Sequence, residues 1–265
     1  MSYAEVDGVR LWYEIHGTGR PLVLLHGGYG STEMFAPVLP DLAARRQVVA
    51  VDLQGHGRTA DVDRPLRYES MADDIAALLR HLGLPAADLL GYSLGGGVAL
   101  RAAIQHPALV RRLVLVSTPY RRQGWYPEVL AAMAAQDERV AEQMRGTPPH
   151  ERYERVAPRP QDWPTLWAKT GELLRREYDW SADVAALPMP VLLVFADADS
   201  IPVRHAAEFF GLLGGGRRDP GGDGTGRPAS RLAVLPGLTH YDIVGSPALP
   251  AAVLPFLTHG VRAPG

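Results

Sequence analysis

The chain contains no cysteine. Disulfides, thiolate metal centres and a cysteine nucleophile are thereby excluded, while the redox compartment stays open. Lysine is almost missing too: Lys169 is the single one, and a basic complement made otherwise of arginine, beside abundant alanine, fits a GC-rich bacterial genome. No excess of either charge exists, with a formal net charge of −2 over 265 residues, so composition favours neither a nucleic-acid partner nor an anionic membrane surface. No apolar run approaches the roughly 20 residues of a membrane helix. The opening MSYAEVDGVRLWYEIHG is too polar and too acidic for a secretory leader. A soluble, cytoplasmic protein is the expectation. No grouping of His, Asp and Glu has zinc-like spacing, so no metal and no other cofactor is expected. Oligomeric state leaves no mark in the sequence.

What is present suits one α/β domain with an insertion. Hydrophobic residues make up 46% and charged residues 21%, enough for a large core. The first segment alternates apolar and polar residues around Asp7-Gly8, which predicts an N-terminal β-hairpin. Six short apolar runs follow, at 21–27, 47–53, 87–93, 111–117, 190–196 and 231–237. Their length suits strands buried on both faces of a parallel sheet. Helix-period segments lie between them at about 33–45, 70–82, 94–106 and 202–213, with a last one near 247–258. The alternation predicts a mostly parallel sheet flanked by helices.

Residues 120–187 break this rhythm. They hold no strand-like run, several aromatics, and prolines at 148, 149, 158, 160 and 164 that divide short helices. They read as a helical cap inserted into a core of residues 1–119 and 188–265. Tyr29, Trp125, Tyr126, Trp163 and Trp167 are the candidates for lining a substrate pocket beneath it. The glycine-rich stretch 211–230 reads as a mobile linker: its GGDGTG lacks a Walker lysine and calcium-loop acid spacing.

The strongest motif is Gly91-Tyr92-Ser93-Leu94-Gly95, a G-x-S-x-G pentapeptide between an apolar strand and a helix. A strand that turns sharply into a helix strains its corner residue and needs small neighbours where the two elements cross. The turn pushes the Ser93 hydroxyl out above the sheet and turns the Leu94 N–H the same way. A serine hydroxyl needs a base to take its proton. Of nine histidines, His240 lies just past the last strand, on the edge where Ser93 emerges. His26 and His56 sit in turns, and His16, His81, His106, His150, His205 and His259 read as surface residues.

With this pentapeptide, LLHGGYGS (24–31) and VDLQGHGRT (51–59), the chain resembles the α/β-hydrolase superfamily, in its capped esterase- and lipase-like branch, over nearly its whole length. The resemblance implies that Gly28 and Leu94 supply oxyanion N–H groups and that His240 is the catalytic base. It also implies an acid between Ser93 and His240 in chain order. The strand end VSTPY (116–120) has no carboxylate. The family's Gly-x-x-Asp pattern falls on Ala196-Asp197-Ala198-Asp199 and selects Asp199, with Asp197 as the alternative. Asp52 reads as a turn-holding carboxylate, and Arg121 and Arg122 as solvated surface. The implied activity is cofactor-free hydrolysis of a small, largely apolar or aromatic ester through an acyl-enzyme. Lactone hydrolysis, perhydrolysis, C–C hydrolysis, acyl transfer and slow-turnover ligand binding stay open as alternatives.

Overall fold

A computed structural model describes residues 2–258. The chain opens with β1 (Ser2–Val6) and β2 (Val9–His16), an antiparallel hairpin. Asp7 and Gly8 both take positive φ, 45° and 80°, the geometry a two-residue turn between right-twisted strands requires. β3 (Pro21–Leu25) leads through a 3₁₀ turn (Thr32–Phe35) to α1 (Leu39–Ala43) and then β4 (Gln47–Asp52). The expected single helix at 33–45 is thus two short pieces, because Pro37 and Pro40 cannot donate within a continuous helix. α2 (Tyr68–His81), β5 (Ala87–Tyr92), α3 (Leu94–Gln105) and β6 (Val110–Val116) complete the first half.

Five helices then intervene before the sheet resumes: α4 (Pro127–Ala134), α5 (Glu138–Gln143), α6 (Pro148–Val156), α7 (Trp163–Arg175) and α8 (Ser181–Ala185). β7 (Val191–Ala198), α9 (Val203–Leu212), β8 (Arg231–Thr239) and α10 (Ala248–Thr258) close the fold. The sheet order is β1-β2-β4-β3-β5-β6-β7-β8, and β2 alone runs against its neighbours.

Alternate side chains of the central strands feed two separate cores. Val23, Leu25, Val49, Leu89, Leu113 and Leu193 pack with α2, α3 and α9 on one face. Leu22, Leu24, Val48, Leu90, Val114 and Val194 pack with Leu42 of α1 and Leu249, Val253 and Leu257 of α10 on the other. Strands covered on both faces explain the continuous apolar runs in the sequence. A third, smaller core of Ala141, Tyr153, Trp163, Leu166 and Trp167 belongs to the helices between β6 and β7.

This order fixes where ligands can approach. Successive strands leave β3 in one direction, to β4, and β5 in the other, to β6. A crevice opens at such a reversal, outside the carboxyl ends of the strands. Gly28 follows β3 and Ser93 follows β5, so both stand at that crevice.

Candidate active site

Ser93 occupies the corner between β5 and α3 with φ 53° and ψ −117°. A side-chain-bearing residue in that region costs on the order of 1–3 kcal/mol. The surrounding bonds hold it there. Its N–H donates to Val116 O at 2.9 Å, and its carbonyl accepts the Gly97 N–H at 3.1 Å. A Cβ at Gly91 would collide with the Gly95 carbonyl, and one at Gly95 with the backbone of Leu25 and His26. Both glycines are therefore required by the close crossing of α3 over the sheet.

Three side chains meet above this corner. Ser93 Oγ lies 3.1 Å from His240 Nε2, and His240 Nδ1 lies 2.9 Å from Asp199 Oδ1. A carboxylate accepts only, so Nδ1 carries the proton and Nε2 presents its lone pair to the serine O–H. Asp199 and His240 are buried, while Ser93 retains partial exposure. Asp197, by contrast, is exposed on the irregular end of β7, where the register with β8 shifts between Ala196 and Ala198. The shift turns Asp197 outward and Asp199 inward.

The backbone near Ser93 presents two free donors. Among the described residues neither the Gly28 nor the Leu94 N–H has a hydrogen-bond acceptor. Leu94 is the first residue of α3, whose N-terminal amides carry the positive end of the helix dipole. The loop bearing Gly28 is tied to the loop after β4. Asp52 accepts the Thr32 N–H at 2.7 Å and the Arg58 N–H at 2.8 Å, which is the turn-holding role its position suggests. Burial raises the Asp52 carboxyl to about 6 against those two bonds. His26 accepts the Leu53 N–H at Nε2 and donates from Nδ1 to Gly27 O. Burial lowers His26 to about 4 and its neighbour His56 to about 3, so both are neutral scaffolding imidazoles. His205 and His150 are buried rather than on the surface as expected: His205 stacks on Tyr120 beneath the helical segment, and His150 packs edge-on against Trp163. Their place on the inner faces of α9 and α6 explains the difference. His259 lies outside the described residues.

Sequence reasoning missed three groups that hold this arrangement. Ser117 and the Ala196 N–H donate to Asp199 Oδ2, at 2.5 and 3.1 Å, and the Tyr92 hydroxyl donates to His240 O at 2.7 Å. Tyr92 is the first of the two variable residues of the pentapeptide, and Ser117 stands in VSTPY, where a carboxylate was sought. Only a search for hydroxyls at adjacent strand ends finds them.

The aromatic candidates divide. Tyr29, with φ 59°, lines a cavity of about 450 Å³ together with Met34, Tyr153, Val156, Tyr241 and Val244. Glu33, Arg152 and Asp242 supply its charged wall. Trp167 stacks on Tyr29 at 4.0 Å between centroids, and the Tyr29 hydroxyl donates to Gln136 Oε1. Trp125 packs edge-on against His240 at 5.4 Å, and Tyr126 is 36% exposed. Trp163 departs from the expectation: it is wholly buried, its indole N–H donates to Ala141 O, and it packs the small helical core instead of facing a cavity. Arg121 and Arg122 are ion-paired with Glu208 and Glu177 at 2.9 and 2.8 Å. No group of three or more metal-ligating side chains occurs among the described residues, nor any helix long and apolar enough to cross a membrane.

Known proteins share this architecture. The sn-1-specific diacylglycerol lipase of Xenopus laevis is 37% identical over 138 residues, which is 50% of this chain and 42% of that protein. The chain spans about half the length, or less, of the curated relatives it matches. The structure of E-2-(acetamidomethylene)succinate hydrolase superposes with a TM-score of 0.75 at 25% identity, covering 97% of this chain and 98% of that one. The esterase RhEst1 of Rhodococcus sp. ECU1013 gives 0.71 at 25% identity, covering 97% and 99%. The model of the α/β hydrolase fold matches residues 20–181, more than half of the sequence. The chain belongs to the α/β hydrolase fold family.

Proposed function

We propose that the protein is a serine hydrolase that cleaves carboxylic esters of small, largely apolar or aromatic substrates through an acyl-enzyme. The carrying observation is the continuous hydrogen-bonded line from Ser93 Oγ through His240 to Asp199, at 3.1 and 2.9 Å, beside two amides without acceptors. Ser93 attacks the ester carbonyl while His240 Nε2 takes its proton. Asp199 fixes the tautomer and stabilises the imidazolium. The Gly28 and Leu94 N–H groups receive the developing oxyanion, a contribution of about 10²–10³ in rate per donor in comparable sites. His240 then gives its proton to the leaving alcohol. In the second half it activates the water that releases the acid and frees Ser93.

In this reading residues 120–187 are a cap that shapes the substrate site. Tyr29 forms part of the pocket wall, Trp167 supports Tyr29 from behind, Trp125 braces His240, and Tyr126 stands at an open margin. The cavity beside Tyr29 and Tyr241 is of the size that takes small ligands, and it neighbours the relay through Tyr241 while its wall includes none of Ser93, Leu94, Gly28 and His240. A soluble protein, acting without metal, cofactor, membrane or nucleic acid on a small-molecule ester, is the proposal.

The test is hydrolysis of p-nitrophenyl esters from acetate to octanoate, with an aryl lactone for comparison, by wild type and Ser93→Ala. Ester turnover that is lost with the serine supports the reading. Turnover of the lactone alone would move the substrate class, and equal rates for both chains would dismiss Ser93.

A further inference from the structure

One residue beyond β6, Ser117 is fully buried and holds a backbone φ of 50°. Glycine would adopt that geometry freely, yet the chain keeps a hydroxyl there. Its Oγ donates to Asp199 Oδ2 at 2.5 Å, and Asp199 Oδ2 also accepts the Ala196 N–H at 3.1 Å. Oδ1 is left for the His240 Nδ1–H. The Ser117 amide is itself pinned, donating to Val194 O at 2.9 Å.

The neighbours of Ser117 reach the other end of the relay. Val116 O accepts the Ser93 N–H at 2.9 Å, and the Thr118 hydroxyl shares its proton between Val116 O at 3.0 Å and Ser93 O at 3.2 Å. Residues 116–118 therefore touch both the backbone of Ser93 and the carboxylate of Asp199. An aspartate carboxylate swivels about its last torsion, which is broad and two-fold. Two donors on one oxygen remove that freedom and leave the other oxygen aimed at the imidazole. Hydrogen bonds to an ionised acceptor are also the stronger kind.

We infer that Ser117 is a positioning residue of the proposed hydrolysis. Its hydroxyl fixes the Asp199 carboxylate with Oδ1 toward His240, and the strained end of β6 persists because it aims that hydroxyl. The inference rests on the serine hydrolase reading above. Ser117 touches no substrate in this scheme and acts through Asp199.

Two variants separate positioning from packing. Ser117→Ala removes the hydroxyl and keeps the backbone strain; Ser117→Gly removes the hydroxyl and relieves the strain. With p-nitrophenyl butyrate, both are expected to lose about tenfold in kcat with KM within about twofold of wild type. Thermal unfolding should nevertheless rank the glycine variant above the alanine variant. Activity that follows stability, with the glycine variant near wild type, would overturn the inference. So would unchanged kcat in both variants, or a rise in KM alone. Labelling of wild type with a fluorophosphonate accompanies the kinetics: a chain unlabelled at Ser93 overturns the parent reading together with this one, whereas a labelled chain with indifferent Ser117 variants overturns this one only.

Discussion

The two ends of the parallel strands both bury charge, and they use it differently. At the amino-terminal ends Asp88 of β5 lies 2.9 Å from Arg46 and 3.5 Å from Arg111. Arg112 of β6 donates to Leu257 O at 2.7 Å, and Arg46 donates to the same carbonyl in the last turn of α10. Here one carboxylate and one helix end are held by three guanidinium groups, a clamp between the sheet and the C-terminal helix. At the carboxyl ends Asp199 has an imidazole, a hydroxyl and a backbone N–H instead of guanidinium groups. Buried carboxylates at opposite ends of one sheet are thus distinguished by their partners: surrounding cations make a structural tie, and a histidine leading to a partly exposed hydroxyl is the arrangement the proposed relay would use.

The sharpest break of that comparison comes at the carboxyl end. Asp199→Asn should lower kcat by about 10³–10⁴, because the amide favours the wrong imidazole tautomer. Asp197→Asn, on the outward side of the same strand end, should stay within about twofold. Steady-state kinetics on one ester decides it, and the reverse pattern would exchange the roles of the two aspartates.

At the amino-terminal end, Asp88→Ala leaves Arg46 buried without its carboxylate. Removing one partner of a buried pair costs about 3–5 kcal/mol, which urea unfolding would read as a lowered midpoint. The kcat per folded molecule should not change. A fall in kcat without a fall in stability would mean that the two ends are not separate in function.

Acid titration sharpens the contrast further. His26, His56 and His205 have folded-state values lowered by burial to about 4, 3 and 4. Unfolded, they take up protons near 6.5, so their contribution to stability is complete above that value and is lost as the pH falls below it. Asp52 and Asp74 act in the opposite sense, since burial raises both to about 6 and the folded chain binds their protons first. Burial raises Asp88 in the same sense, so buried histidines and buried carboxylates oppose one another as the pH falls below about 6. His205→Phe removes one of the three histidines, so its unfolding free energy should fall less, or rise more, than that of wild type as the pH drops from about 6.5 toward 4. Equal pH dependence in the two chains would count against a buried neutral His205.

The smallest effect belongs to the helical segment. Lys169 of α7 reaches Asp61 at 2.5 Å and the carbonyls of Val62 and Arg64 at 2.8 and 2.9 Å, tying the segment to the loop after β4. Lys169→Met should cost about 1 kcal/mol, the usual scale for a partly exposed pair with supporting hydrogen bonds. It should raise KM and leave kcat alone.

The comparison also explains what was legible in the sequence. The carboxyl end is made of motifs in which several residues serve one turn, so Gly91 to Gly95 single out Ser93 as a candidate from the sequence alone. The parallel sheet was equally plain, because strands buried on both faces write continuous apolar runs. The clamp left no such trace: Arg46, Asp88, Arg112 and Leu257 are scattered along the chain, and isolated charges have no spacing. Ser117 escaped for a related reason, since its value lies in a neighbouring strand end brought close only by the pairing of β6 with β7. The aromatics between β6 and β7 were visible as a group but not individually. Helical packing decided that Trp163 turns into the small core while Tyr29, from a different loop, faces the cavity.

The central claim is that Ser93 is the nucleophile of a relay through His240 and Asp199. Intact-mass analysis after treatment with a fluorophosphonate, followed by peptide mapping, tests it without knowledge of the natural substrate. The account predicts one adduct per chain, on Ser93, absent in Ser93→Ala and slowed by orders of magnitude in Asp199→Asn. No adduct, or an adduct on another residue, would contradict it.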